Sequence, residues 1–348
     1  MSQKAGFSSV SSSTLANISI ILLVGVLAIV HLKAVIQPLV VATLIFFLIR
    51  PPAQWLEERI GGHPLVAYGV LVSMVMGFLF FASNSMYENM QNFTNEAPEL
   101  EQSLQLKIAW LEDLSIFGYH MDTSALTGLI TIETVNSYAA GFVGTLAGFT
   151  TSFVTVLIFL LFIILEAETL PRRIKAAYPD DVDRIMSVAA GSGEGINTYV
   201  VTRATVAFGQ AIVAAIVLSA MDIPFVFLWA SITFLMDFIP YVGALLSIIP
   251  PILLGLIVLP STTSLLLIAL LVANQQVWGG VIEPQLAGQR LDMSPIVLLL
   301  LVAFWGWAWG IMGMVLGVPL AVIMKIGLES DERTRPIAMM LSRDPSLD

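Results

Sequence analysis

The sequence predicts an all-α protein that crosses a membrane several times. Of its 348 residues, 57% are hydrophobic and only 11% are charged, whereas about a quarter of the residues of a soluble domain are charged. Apolar runs near the length needed to cross a bilayer, about 20 residues, recur from Leu15 to Leu328. Two further runs are too long for one crossing and are interrupted by glycine and proline. We therefore expect about six transmembrane helices and two re-entrant hairpins, which enter and leave the membrane on one side, with a small extramembrane helical insert.

The composition also excludes several classes of function. The chain has no cysteine, which excludes disulfides, thiol catalysis and cysteine-based metal sites. Its three histidines are far apart and form no pair with metal-ligand spacing. The formal charge is −10, and no basic cluster indicates a nucleic acid as a partner. Because no serine–histidine pair or phosphate-binding loop occurs either, we expect no enzyme activity, no cofactor and no bound metal.

Residues 1–83 are predicted to form three membrane helices, in the apolar runs Leu15–His31, Ala34–Ile49 and Leu65–Ser83. The first run could be mistaken for a secretory signal. Only Lys4 is positively charged before it, however, and no cleavage site follows it, so we expect a retained helix.

Residues 84–148 are predicted to form an extracytoplasmic insert. Eight acids lie between Glu88 and Glu133, where Lys107 is the only base. Apolar residues recur there at helical spacing, which predicts an amphipathic helix outside the lipid; they are Leu100, Leu104, Ile108, Leu111 and Leu114. This helix packs either against its own neighbour or against another subunit.

Residues 149–203 are predicted to form one membrane helix and a cytoplasmic amphipathic linker. Basic residues concentrate on the cytoplasmic side of membrane proteins, and the linker contains Arg172, Arg173, Lys175, Arg184 and Arg203. An acid triplet after Pro179 (Asp180, Asp181 and Asp183) is typical of a helix N-terminus and is a weaker candidate for a metal site. With the arginines of the tail, residues 329–348, this pattern predicts an inner-membrane protein with both termini in the cytoplasm.

Residues 204–328 are predicted to form a transport module built from two repeats. Each repeat has one crossing helix, Ala204–Ala220 or Ser264–Ile282, followed by a broken apolar segment, Pro224–Leu259 or Pro295–Lys325. If each broken segment returns to the side that it entered, the arginine-bearing tail ends in the cytoplasm. The crossing helices then run in opposite directions. Such an inverted repeat is typical of secondary transporters, whose binding sites lie where broken helices meet near the middle of the membrane.

The candidate site residues lie at and near these breaks, because lipid tolerates free backbone groups only where they are buried in protein or line a wet cavity. The predicted solute and ion pathway comprises Asp237, Pro240, Tyr241, Gly243, Asn274, Gln275, Glu283, Gly310, Gly313 and Pro319.

Four of these residues each have two interpretations. Asp237 is the only acidic or basic side chain between Asp222 and Glu283. It either carries a proton or Na⁺ for coupled transport or has a structural role, capping a half-helix. Asn274 and Gln275 bind either a polyol-like solute or another helix. Glu283 forms either a cytoplasmic gate with Arg290 and Asp292 or a surface salt bridge.

Three segments carry a family resemblance: IPYVGALLSIIPPILLG (Ile239–Gly255), VIEPQLAGQRLDMSPIVLLL (Val281–Leu300) and GIMGMVLGVPLAV (Gly310–Val322). The chain resembles, over nearly its whole length, the AI-2E transporter family, bacterial and archaeal membrane proteins named for export of autoinducer-2. One departure is Glu283-Pro284-Gln285, where the family commonly has a small or basic residue near the proline. The departure leaves the function of that position open.

The resemblance implies a homo-oligomer, a pentamer, with re-entrant hairpins in each protomer. It also implies either efflux of a small polar solute such as autoinducer-2 or Na⁺(Li⁺)/H⁺ antiport. We therefore expect an exporter whose hairpin module moves in an elevator-like way, coupled to H⁺ or Na⁺. A passive channel along an oligomer axis and a membrane scaffold without transport are the alternatives.

Overall fold

The computed structural model describes residues 12–60, 64–113, 153–240, 242–287 and 293–343, and every element within these ranges is a helix. Five helices are long and apolar enough to cross a membrane, or six if one bent pair counts as a single span. These findings confirm an all-α polytopic membrane protein. The set of spans differs from the predicted one in one respect. Helix Ile311–Glu329, predicted as a hairpin arm, is long enough to cross a membrane.

The N-terminal part consists of α1 (Ser12–His31), α2 (Lys33–Ile60) and α3 (Pro64–Asp113). Helix α3 has 50 residues, which at 1.5 Å per residue gives a length of roughly 75 Å. The hydrocarbon core of a bilayer is only about 30 Å thick, so the second half of α3 projects beyond it. The third predicted span and the start of the predicted insert are therefore one continuous helix. The rest of that insert, residues 114–148, lies outside the described residues.

The middle of the chain forms α4 (Phe153–Glu166), α5 (Leu170–Ala177) and α6 (Val182–Ala220). Helices α4 and α5 are bent by 63° against each other. Helix α6 runs without interruption through residue 203, so the predicted linker and the next predicted crossing share one helix of 39 residues.

The predicted acid triplet lies at the start of α6. Asp181 occupies the N-cap position without a capping hydrogen bond from its side chain. Its carboxylate instead pairs with Arg184 at 3.1 Å, and Arg184 also pairs with Asp331 at 3.2 Å. Within the described ranges, no three acidic or histidine side chains come together as a metal site.

The first broken segment is a helical hairpin, α7 (Val226–Met236) and α8 (Val242–Val258). Before it, the chain turns sharply through Asp222 and Phe225, whose φ angles are +53° and +61°. At its tip the two helices meet so closely that a methyl group on Gly243 would lie 1.7 Å from the carbonyl oxygen of Met236. Only glycine fits at this tip, which confirms a tight reversal at the predicted break.

A crossing helix then leads to the second hairpin. Helix α9 (Ser261–Val277) continues into a π-helical turn, Trp278–Ile282, and the short α10 (Glu283–Ala287). The second hairpin consists of α11 (Pro295–Trp309) and α12 (Ile311–Glu329), joined at Gly310, whose φ is +68°.

The arms of the second hairpin run antiparallel. Gly313 faces Trp305 and Gly317 faces Val302, so contacts move backward along α11 as they move forward along α12. Helix α13 (Arg335–Leu341) returns to the start of this hairpin, where the Ser294 N–H donates to the Leu341 carbonyl at 2.9 Å.

The second half of α3 packs against the open end of the first hairpin, where α7 begins and α8 ends. Met90 and Leu100 belong to one buried cluster with Trp229 and Leu254. The Lys107 ammonium donates to the carbonyls of Leu256 and Leu259, at the end of α8. A cation there satisfies carbonyls that have no partner within the helix and complements the negative end of the helix dipole.

The order of elements matches the predicted repeat. Helices α6, α7 and α8 form a long helix and a hairpin, and α9, α11 and α12 repeat that order. The opposite orientation of the two repeats in a membrane, and the re-entrance of the hairpins, stay predictions.

Replacing Gly313 with alanine is expected to lower the free energy of unfolding by about 1–3 kcal/mol, the usual cost of overpacking. The reason is that the added methyl would lie 1.9 Å from the carbonyl oxygen of Trp305. Gly327→Ala, in the same helix, is the matched control, because nothing lies within 4 Å of its added methyl. Thermal unfolding in detergent, followed by tryptophan fluorescence, measures both. Equal midpoints would contradict the close packing of α11 and α12.

Candidate solute and ion site

A buried arginine joins three parts of the chain that are distant in sequence. Arg203, on α6, lies 3.6 Å from the Asp237 carboxylate through Nη2 and 2.5 Å from the Glu283 carboxylate through Nη1. Its Nε–H also donates to the backbone carbonyl of Asp237 at 2.5 Å. The side chains of Asp237 and Arg203 are 3% and 11% exposed, whereas that of Glu283 is 31% exposed. The charged cluster is therefore nearly sealed at Asp237 and more open at Glu283.

The break in the first hairpin explains why Arg203 is needed there. Pro240 has no N–H, so the helix cannot continue with its normal hydrogen bonds. The Met236 carbonyl instead accepts a shorter-range bond from the Ile239 N–H, at 2.9 Å. Asp237 follows α7 directly, at the negative end of the helix dipole. The guanidinium thus provides a partner for both the backbone carbonyl and the carboxylate of Asp237.

The tip of the hairpin also rests on an apolar cluster. Ile239 is buried against Tyr199 of α6 and against Val302 and Val318 of the second hairpin. The arms of the second hairpin, not its joint, therefore support the first break.

A cavity of about 440 Å³ opens beside this cluster. Its polar wall combines the three charged groups with a phenol, two amides and two glycines of the π-helical turn. No atoms lie within 4 Å of where side chains would begin on these glycines, and π-helical turns occur frequently at functional sites. The cavity is lined by Tyr199, Arg203, Asp237, Pro240, Ala244, Gln275, Gln276, Gly279, Gly280, Glu283, Met293, Leu298 and Val318.

Two further amides lie directly behind Gln275. The Gln210 side chain of α6 donates through Nε2 to Oε1 of Gln275, and the Asn274 side chain donates through Nδ2 to the Gln210 carbonyl at 3.0 Å. Both residues are buried. The amides therefore link α6 to α9 at the edge of the cavity.

The structure brings four of the predicted pathway residues together at this cavity: Asp237, Pro240, Gln275 and Glu283. Asn274 lies one residue behind it, and Gly243 closes the hairpin tip. The expected gate of Glu283 with Arg290 and Asp292 falls partly on undescribed residues, and in the described part Glu283 pairs with Arg203. Tyr241, Arg290 and Asp292 lie outside the described residues.

The second hairpin does not bring its break to this cavity, and a role of Gly310, Gly313 and Pro319 in the pathway stays a prediction. Gly310 is exposed at its joint, and Gly313 and Pro319 are buried in helix packing. The reason is that the two tryptophans before this break anchor the hairpin to other helices. Trp305 and Trp309 pack in a cluster with residues of α1 and α2, and the Trp309 indole N–H donates to the Ile29 carbonyl at 3.0 Å.

Sequence reasoning missed Tyr199 and Arg203 because it assigned both to a cytoplasmic linker, and it missed Gln210 within the predicted crossing helix Ala204–Ala220. The sequence does contain a signal for them. Buried positions of α6 recur every three or four residues in one stripe, formed by Ser192, Ile196, Tyr199, Arg203, Val206, Gln210, Ala214 and Leu218. Extending the helical period backward from Ala204 would have placed Arg203 on the buried face.

Comparison with known proteins finds similarity to a transporter family and to several transport proteins. A family model described as AI-2E family transporter matches residues 18–330. The chain is 26% identical over 339 residues to the AI-2 transport protein TqsA of Escherichia coli K12, covering 94% of this chain and 97% of that protein. It is 28% identical over 348 residues to a putative transport protein of Haemophilus influenzae, covering 94% and 95%. It is also 25% identical over 321 residues to the putative transport protein YhhT of Escherichia coli K12, covering 92% and 91%.

Replacing Arg203 with glutamine is expected to lower the free energy of unfolding by about 3–5 kcal/mol, since it leaves the buried Asp237 carboxylate without its counter-charge. The double variant Arg203→Gln/Asp237→Asn is expected to be more stable than Arg203→Gln alone, because it also removes that unpaired charge. Denaturant unfolding in detergent measures both.

The control for this pair is Arg184→Gln, which removes an arginine from two exposed ion pairs and should cost about 1 kcal/mol or less. If the double variant is as unstable as the sum of its single substitutions, Arg203 and Asp237 are not coupled and the ion pair does not hold the hairpin tip.

Proposed function

The chain belongs to the AI-2E transporter family, and on that premise we propose that it exports a small polar solute through the cavity beside Arg203, Asp237 and Glu283. The observation that carries this proposal is the buried charged cluster at a helix break. An ionised group within a membrane-spanning region costs about 2.5–3.5 kcal/mol on insertion scales, and such groups commonly mark transport pathways. Three charged groups lie around this helix break and its cavity. A purely structural contact between two helices does not need so many.

The size and lining of the cavity support a small polar cargo. A volume of about 440 Å³ lies within the range of about 300–1,000 Å³ that is usual for small-molecule sites. Carboxylate, guanidinium and amide groups together can hydrogen-bond a hydroxyl-bearing solute from several sides. The relative TqsA is described as an AI-2 transport protein. We propose an autoinducer-2-like solute as the cargo of this chain on that basis.

Arg203 holds the hairpin tip in place, and weakening this contact could contribute to alternating access. Its contact with Glu283, at 2.5 Å, is shorter than its contact with the Asp237 carboxylate, at 3.6 Å. We propose that cargo entering the cavity replaces the longer contact, which leaves the 2.5 Å hydrogen bond from Nε–H to the Asp237 carbonyl as the remaining link between Arg203 and the tip of the first hairpin.

In an elevator-like movement, the whole hairpin module would move, rather than the tip of the first hairpin alone. Such a movement would have to carry α3 with it or break the Lys107 contacts with the end of α8, because these contacts hold the base of the hairpin.

Na⁺(Li⁺)/H⁺ antiport is the second candidate, and one observation favours it. With all three groups ionised, two carboxylates and one guanidinium leave the cluster with a net charge of −1. Oδ2 of Asp237 is buried and has no hydrogen-bond partner among the described residues. A proton or Na⁺ at this oxygen would neutralise the cluster. The same position can therefore couple solute export to a cation gradient.

The proposal also includes the membrane location and the oligomeric state of the protein. The basic residues near α5 and in the tail support a cytoplasmic (inner) membrane location with both termini in the cytoplasm. The family resemblance supports a homo-oligomer, with a pentamer as the expected form. Transport, rather than catalysis, is the activity that the family membership supports.

Asp237→Asn is expected to lower autoinducer-2 efflux from proteoliposomes at least about tenfold and to abolish its dependence on a pH or Na⁺ gradient. A charged hydrogen bond is worth about 1.5–3 kcal/mol, and 1.36 kcal/mol is tenfold in rate. Parallel assays with Na⁺ and Li⁺ test the antiport candidate.

Asp222→Asn is the matched control for this experiment. Asp222 is an exposed acid just before the first hairpin, and asparagine tolerates its left-handed backbone. If Asp237→Asn behaves like Asp222→Asn at every pH, coupling through Asp237 is wrong. Voltage-driven currents far above carrier rates would identify a channel, and no flux of any of these solutes would favour a scaffold.

A further inference from the structure

The interface between α6 and α9 contains a buried amide pair that the cavity itself does not explain. Gln210 is 1% exposed and Asn274 is 8% exposed. The helices approach closely beside them, since a methyl group on Gly209 would lie 2.0 Å from the Trp278 ring. Two primary amides are thus enclosed in a tightly packed helix contact, where apolar side chains would pack more simply.

Each of these amides has an oxygen that is not satisfied. Both side chains use their N–H groups, Gln210 toward Gln275 and Asn274 toward the Gln210 carbonyl. Gln210 Oε1 and Asn274 Oδ1 are buried and accept no hydrogen bond within the part of the chain that the structure describes. Buried acceptors are nearly always satisfied in folded proteins. Two unsatisfied oxygens in one helix contact therefore point to a guest that donates N–H or O–H groups.

The amide pair is connected to the cavity through one residue. Gln275 lines the cavity and also accepts the hydrogen bond from Gln210. From Arg203 to Gln210 the polar positions advance two turns along α6, roughly 10 Å. On the facing segment, the polar positions run from Glu283 back to Asn274, which is the same direction in space. Polar side chains thus continue from the cavity into the buried contact between α6 and α9, past Gln275.

Beyond the amides this polar strip stops. The next buried positions of the interface are Ala214 and Leu218 on α6 and Leu271 and Leu267 on α9, and all four belong to one apolar cluster. A polar solute that reached the amides would meet this layer next. The layer therefore has the position of a closed gate on the far side of the amide pair.

We propose that Gln210 and Asn274 form a second binding subsite for the transported solute, which takes its hydroxyl or amide donors after the solute has passed Gln275. The subsite rests on the proposed function, because it lies on the route that begins at the charged cavity. The solute class that fits both places is a small molecule with several O–H or N–H donors. A purely structural amide contact between two membrane helices is the competing account.

Cysteine accessibility tests the route without knowledge of the cargo, because the chain contains no native cysteine. Single variants Gln276→Cys, Gln210→Cys, Asn274→Cys and Leu267→Cys in proteoliposomes are treated with a membrane-impermeant thiosulfonate from each side. We expect positions 210 and 274 to react from the same side as position 276, and position 267 not to react from that side. If 276 reacts but 210 and 274 do not, the subsite is wrong. If 276 reacts from neither side, the cavity is closed to solutes and the proposed function fails with it.

Flux of autoinducer-2 through shape-conserving variants tests the chemistry. Gln210→Met and Asn274→Leu keep the side-chain volume and remove the acceptors, and we expect efflux at least about fivefold below wild type. Thr233→Val is the matched control, because this buried hydroxyl is satisfied by the Trp229 carbonyl of its own helix. It should leave efflux unchanged.

The two proposals fail in distinguishable ways. Wild-type efflux in Gln210→Met and Asn274→Leu, with loss of efflux in Asp237→Asn, overturns the subsite and leaves the charged cavity as the site. Wild-type efflux in all three variants overturns the proposed function. If a methionine or leucine variant fails to fold, as judged by size-exclusion chromatography, the accessibility experiment still decides the question.

Discussion

The structure around the candidate site depends on one guanidinium group. Arg203 pairs with Asp237 and Glu283 and also donates its Nε–H to the carbonyl of Asp237, so it joins α6, the tip of the first hairpin and the start of α10. A broken helix in lipid needs partners for its free backbone groups, and a buried carboxylate needs a counter-charge. One arginine meets both needs at once. Its five N–H donors in a planar fork suit this double role in a way that a lysine ammonium cannot reproduce.

The two hairpins repeat the same order of helices but use their breaks differently. In the first hairpin the break is lined by charges and opens into the cavity. In the second, Trp305 and Trp309, which precede Gly310, pack toward α1 and α2, and its arms support the tip of the first hairpin through Val302 and Val318. The repeat is therefore symmetric in topology and asymmetric in chemistry. One copy provides the polar site and the other provides the packing that holds it.

Much of the fold could be predicted because hydropathy and helix breakers act locally. Long apolar runs indicated the membrane helices, and Pro240, Gly243 and Gly310 indicated where two of them break. The partner of Asp237 could not be found in this way, because Arg203 lies 34 residues away and only the fold brings the two together. The charge of Arg203 also suggested a cytoplasmic linker, whereas a helix that continues inward buries it. For the same reason the contact of Lys107 with the end of α8, 149 and 152 residues away, has no signal in the local sequence.

We propose that the cargo binds at the break of the first hairpin, against Arg203 and Asp237. A cryo-electron microscopy structure in nanodiscs, with and without the solute that the efflux screen identifies, tests this binding site. We expect solute density in the cavity between α6, the hairpin tip and the π-helical turn, with the Arg203–Asp237 contact lengthened. Solute density at the Gly310 break, or along the axis of an oligomer, with this contact unchanged, would contradict it.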